Sequence, residues 1–252
     1  MSIFIFLLGT IIGSFLNVCI YRIPNNKSIV YPGSRCPACS TPLKWYDLVP
    51  ILSFLQLKGK CRYCREKISP RYPIVELLSG TIYLFLYIKS GLGINFIYYG
   101  FLISILIIIT FIDVDYQIIP NTLTLLIFIL DILYKFMNFL IYNLPLNLIN
   151  HLLGLIVGFI LFLLIFILSK GGMGGGDVKL MGVFGFTLGI PRIFLNIFLS
   201  FVLGGIISIF LLAFKIKKRK DPIAFGPFLI IGFLVSLFWG YEIIDWYLFN
   251  SL

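Results

Sequence analysis

Long stretches without a single charge divide this chain: residues 1–21, 90–112, 136–169 (with only a neutral His151), 193–214 and 222–241. Each can cross a hydrocarbon core, which takes about 20 residues at a rise of about 1.5 Å per residue. Of the 252 residues 60% are apolar and only 12% charged, whereas about a quarter of a soluble domain is charged. A soluble fold is thereby excluded, and so is disorder, since 17% of the residues are aromatic. Three weaker runs, 73–88, 119–136 (interrupted by Asp131) and 178–190, bring the expected count to about eight transmembrane helices. The expected fold class is an all-α polytopic membrane protein, because open sheet edges are not tolerated in lipid.

The first run lacks a basic leader region and is followed by Arg22, Ile23 and Pro24 rather than a small-residue cleavage site, so it reads as a retained helix. Ten of the 20 basic residues lie between Arg22 and Arg71, and five more are Lys215, Lys217, Lys218, Arg219 and Lys220. The positive-inside rule puts both segments in the cytoplasm. Eight crossings with the amino terminus outside then place the loops at 113–119, 170–177 and 215–222 inside as well. The formal charge of +10 is accounted for by topology and by lipid headgroups of the bilayer; nucleic acid drops out as a partner. The 22–72 segment carries Pro24, Pro32, Pro37, Pro42, Pro50 and Pro70 and should be turn-rich.

Within that segment, Cys36-Pro-Ala-Cys39 and Cys61-Arg-Tyr-Cys64 are two C-x-x-C knuckles 21 residues apart. The spacing suits a four-thiolate structural zinc site, whose metal would supply the folding free energy that so small a loop lacks. Two disulfides or redox pairs are the alternative, favoured only in an oxidising compartment. Cys19, inside the first run, reads as a small buried hydrophobe. A closed metal site does no chemistry, so catalysis has to come from elsewhere.

Asp113 and Asp115 end one apolar run, and Asp177 closes the segment Gly171-Gly-Met-Gly174-Gly175-Gly176-Asp177. Carboxylates at membrane depth are costly and call for water, a partner or a function. Two carboxyls sharing a site cannot both ionise cheaply, so one keeps a proton while the other activates water for attack on a peptide carbonyl. Glycines beside Asp177 would let a substrate backbone or a neighbouring helix approach; a flexible hinge is the plainer alternative.

At these residues the chain closely resembles the type IV prepilin peptidases, bifunctional leader peptidase/N-methyltransferases with the G-x-G-D motif of intramembrane aspartic proteases. The likeness runs through Gly13-Ser-Phe-Leu-Asn17-Val-Cys-Ile-Tyr-Arg22, the four-cysteine loop with Trp45-Tyr-Asp47, Ser69-Pro-Arg71-Tyr-Pro73-Ile-Val-Glu76, the Asp113 segment with Pro120, and Gly174-x-Gly176-Asp177. Pro70 departs from the pattern. The resemblance implies Asp113 and Asp177 as the catalytic pair, with Asp115, Gly174 and Gly176 auxiliary and Cys36, Cys39, Cys61 and Cys64 as metal ligands. It implies prepilin or pseudopilin substrates cut at the cytoplasmic face of the bacterial inner membrane, followed by N-methylation from S-adenosylmethionine. Asn17, Arg22, Arg71 and Glu76 are the polar residues it suggests for that methyl donor. The domains expected are residues 1–21 as a first helix, 22–72 as a zinc-binding, methyltransferase-associated loop, and 73–252 as the peptidase bundle. A polytopic transporter with a zinc-stabilised loop, and a peptidase without methyltransferase activity, are the competing functions; no paired repeats of the transporter kind are visible.

Overall fold

The computed structural model describes residues 1–143, 145–169, 172–218, 221 and 223–250, the last two without side chains. Gly171, Arg219, Lys220 and Pro222, all part of the sequence expectations, lie outside the described residues. Every regular element among the described residues is a helix, and the chain divides into two compact units, 1–108 and 109–252.

The first unit contains α1 (Ser2–Arg22), a short 3-10 turn (Trp45–Asp47), α2 (Leu52–Gln56), α3 (Arg71–Ser90) and most of α4 (Ile94–Tyr116). Helices α1 and α3 run antiparallel with almost no side chain between them. A Cβ on Gly9 would come within 2.8 Å of Gly80 Cα, and one on Gly13 within 2.7 Å of Glu76 Cα. In lipid, where apolar surface gains nothing by self-association, such small-residue seams are what allow helices to pack. The buried Tyr83 hydroxyl donates to the Gly100 carbonyl at 3.0 Å and so ties α3 to α4.

The second unit contains the end of α4, α5 (Asn121–Tyr142), α6 (Leu148–Leu168), α7 (Gly175–Leu188), α8 (Arg192–Ala213) and α9 (Gly226–Asn250). Gly154 and Gly185 bring the backbones of α6 and α7 into direct contact, each glycine lying against the other's carbonyl. The Asn150 amide oxygen accepts from Ile190 N–H at 3.0 Å, so the end of α7 is level with the start of α6. Across α8 and α9, Gly232 sits against Asn196 and Ser200. The fully buried rings of Phe184 and Phe233 stack with centroids 4.0 Å apart, joining α7 to α9.

Among the described residues six helices, not the eight expected, are long and apolar enough to cross a membrane: α1, α4, α5, α6, α8 and α9. This is a multi-pass membrane protein. Helix α7 falls short because its 14 residues reach only about 21 Å against a core of about 30 Å. Helix α3 has the length, but Glu76, Ser79, Thr81, Lys89 and Ser90 dilute its apolar character. Conversely, Asp131 does not interrupt α5. Lys135 donates to its carboxylate at 2.5 Å one turn later, and the helix continues to Tyr142.

Candidate functional site

Asp113 and Asp177 are buried, at 5% and 6% exposure, and both belong to the second unit. Asp113 stands one turn before the end of α4, where its Oδ2 accepts from the backbone N–H of Gly226, the first residue of α9, at 2.8 Å. Unsatisfied N–H groups at a helix start carry partial positive charge, which suits a carboxylate. Asp177 is the third residue of α7, and its Oδ2 accepts from Gly174 N–H at 3.2 Å, closing the helix start in the manner of a capping box. Its Oδ1 is buried with no hydrogen-bond partner among the described residues, and such an atom in a native site calls for a ligand, a proton or water.

Two contacts bring the acid-bearing segments side by side. A Cβ on Gly176 would meet Ile119 Cβ at 2.8 Å, so only glycine lets the start of α7 approach the turn that follows Asp113. Lys179 donates to Asn121 Oδ1 at 2.9 Å, linking α7 to the start of α5. Asp115, by contrast, is exposed. Gly174 supplies the N–H that Asp177 accepts.

In the first unit the four sulfurs of Cys36, Cys39, Cys61 and Cys64 converge within 4.8 Å of one another. Each knuckle closes alike: Ser40 N–H donates to Cys36 O, and Arg65 N–H to Cys61 O. Zinc–sulfur bonds of about 2.3 Å in a tetrahedron set sulfurs about 3.8 Å apart, and Cys36 and Cys64 stand at 3.8 Å. The donor set therefore fits a zinc ion. The Thr41 hydroxyl and backbone lower the Cys39 thiol to about 6, so a thiolate ligand is at hand near neutral pH. Asp47 links the second knuckle to the 3-10 turn by accepting from Arg62 Nε at 2.7 Å and from the Tyr63 hydroxyl at 3.2 Å.

Matches to known proteins divide along the same lines. The model of the bacterial peptidase A24 N-terminal domain matches residues 7–90, and that of the type IV leader peptidase family matches residues 100–209. A Bacillus subtilis protein called prepilin leader peptidase/N-methyltransferase is 35% identical over 248 residues, covering 98% of both chains. This chain belongs to the type IV leader peptidase family. Relatives of the same name from Aeromonas salmonicida and Pseudomonas aeruginosa are 33% and 30% identical, covering 98% and 96% of this chain and 94% and 91% of theirs. No solved structure matches.

Seen as a leader peptidase, the chain shows contacts that the sequence reading lacked. Gly226 lies beyond the residues matched by the family model, and a backbone N–H donor leaves no side-chain signature. Ile119 and the Lys179–Asn121 pair were equally silent. The residues suggested for the methyl donor all have structural contacts. Asn17 Nδ2 donates to the carbonyls of Gly13 and Tyr72, Arg22 to those of Ser28, Pro32 and Gly33, and the Glu76 carboxylate accepts from Ile51 N–H. Arg71 lies over the Tyr72 ring. Asn17 Oδ1 is buried without a hydrogen-bond partner among the described residues.

Proposed function

We propose that this protein cleaves the leader peptide of type IV prepilins or pseudopilins with Asp113 and Asp177 and then N-methylates the new amino terminus. The observation that carries the reading is the pair of buried carboxylates, each held by a backbone N–H at a helix start, on two segments packed through Gly176 and Ile119.

In the mechanism the ionised carboxylate takes a proton from water as the water oxygen bonds to the scissile carbonyl carbon. The protonated partner donates toward the carbonyl oxygen, and collapse of the tetrahedral adduct breaks the C–N bond as a proton passes to the leaving amine. Asp115, Gly174 and Gly176 are auxiliary: an exposed second carboxylate, a capping N–H and a close-approach position. No covalent nucleophile is needed.

The site belongs at the cytoplasmic rim. Residues 215–218, just beyond the end of α8, carry Lys215, Lys217 and Lys218, which the positive-inside rule assigns to the cytoplasm. Gly226, a few residues on, touches Asp113. The same rule puts the 22–72 loop in the cytoplasm and the amino terminus outside, in a bacterial inner membrane. A substrate whose basic leader stays inside and whose apolar helix lies in the bilayer would present its scissile bond at that rim.

The released amine is the nucleophile for methylation, and S-adenosylmethionine, when bound, supplies the electrophilic methyl group. Residues 1–21 form the first helix, 22–72 the zinc-stabilised, methyltransferase-associated loop and 73–252 the peptidase bundle. For the methyl donor we retain Asn17, Arg22, Arg71 and Glu76, among which Asn17 Oδ1 is a buried acceptor with no hydrogen-bond partner among the described residues. Mass spectrometry of a prepilin incubated with the protein, with and without S-adenosylmethionine, tests both activities. The cut alone is expected without the donor and an added methyl with it; an uncut prepilin would overturn the reading.

A further inference from the structure

Residues 48–57, Leu-Val-Pro-Ile-Leu-Ser-Phe-Leu-Gln-Leu, form a charge-free apolar stretch between Asp47 and Lys58 inside the otherwise basic 22–72 segment. None of these residues is buried in the protein. Leu52 is 56% and Leu55 63% exposed, and Trp45, on the adjoining 3-10 turn, is 79% exposed. A contiguous apolar surface left uncovered by its own fold marks a contact with something else. Its length is that of an interfacial segment and too short for a crossing.

The attachment of α2 fixes its depth. Ile51 N–H donates to the Glu76 carboxylate at 2.7 Å, and Glu76 Cα lies directly against Gly13 of α1. Gly13 precedes Arg22, the end of α1, by nine residues, or about 13 Å along the helix axis. Even with the reach of the glutamate side chain, α2 begins inboard of the end of a membrane-spanning helix. The turn that delivers it is strained: Ile51 has φ 62 and ψ −50, with Leu52 N–H donating to Pro50 O at 2.6 Å. A β-branched residue adopts this γ-turn only when its surroundings impose it, and the Glu76 contact does so. Lys44, Lys58, Lys60 and Arg62 flank the stretch, a charge pattern complementary to an anionic leaflet.

We infer that residues 48–57 are a membrane-inserted anchor: Leu52 and Leu55 enter the headgroup–acyl boundary, and the four-cysteine module is seated on the anionic headgroups. The occupant of this surface is the lipid bilayer itself. Amphipathic segments of this kind sit about 5–10 Å into the boundary.

The test uses the full chain in phosphatidylglycerol nanodiscs, with Trp45, Trp239 and Trp246 changed to Phe and Leu55→Trp as the sole reporter. Leu52→Trp serves as a second reporter, and Val30→Trp, 84% exposed at its own position, as the aqueous control. The two leucine-site reporters are expected to emit at shorter wavelength than the Val30 reporter. They should be quenched by lipids brominated just below the headgroup and escape aqueous iodide, with the Val30 reporter behaving oppositely. Iodide quenching of both leucine-site reporters would overturn the inference. So would emission that becomes shielded only when a prepilin is added, which would assign the surface to a protein partner.

Discussion

Gly226 donates its backbone N–H to Asp113 Oδ2 at 2.8 Å across 113 residues of sequence. The bond places the carboxylate at the positive end of α9, and it comes from a residue whose missing side chain makes the approach possible: a Cβ there would lie 2.6 Å from the same oxygen. The Asp113 carboxylate is thus held in place by the start of α9.

Asp113→Asn and Asp177→Asn each remove one member of the proposed acid/base pair while keeping its shape. Each variant is expected to insert normally and lose cleavage of a co-expressed prepilin by at least about 10²-fold, the lower range for a positioned proton-transfer group. Gel-shift assay of leader removal checks this, and retained cleavage by either variant would falsify the pairing.

Gly226→Ala should displace the Asp113 carboxylate without unfolding the bundle. Misplacement of a reacting group by about 1 Å can cost about 10²-fold, and a loss of that order is expected in turnover, with membrane insertion unchanged. Gly175→Ala is the control, because nothing lies within 4 Å of the added methyl. Equal turnover in the two variants would contradict the geometry.

Cys36→Ser takes one sulfur from the cluster. The purified variant should lose its metal and show a protease-sensitive 22–72 segment, while the second unit keeps its carboxylates in place and still cuts prepilin. Elemental analysis decides: a full complement of metal in this variant would refute the four-thiolate site.

Lys135→Met removes the ammonium that bonds to the carboxylate of Asp131, whose side chain is 1% exposed. Breaking such a pair from one side costs about 3 kcal/mol or more, whereas replacing both members with apolar groups is close to neutral. Thermal unfolding in detergent should therefore show Lys135→Met well below wild type and Asp131→Leu/Lys135→Met largely restored. A double variant as unstable as the single would show that the pair is not the source.

The cysteine cluster is legible because four thiols in two knuckles carry a fixed spacing, and Asp113 and Asp177 stand out in the sequence as carboxylates at the ends of apolar runs, their roles implied by the family resemblance. Span counting was less secure, since hydropathy sees neither a partner nor a length. It counted α3, whose polar residues dilute its apolar character, and α7, which is too short. Residues 48–57 escaped notice for a related reason. They are too few to cross and sit among prolines and lysines, and only the Ile51–Glu76 hydrogen bond reveals their depth.

The glycine seam between α6 and α7 limits how this enzyme can move. With backbone against backbone at Gly154 and Gly185, neither helix can rotate or slide past the other without collision. Any shift of the Asp177 segment would therefore have to carry α6 and α7 together as one piece.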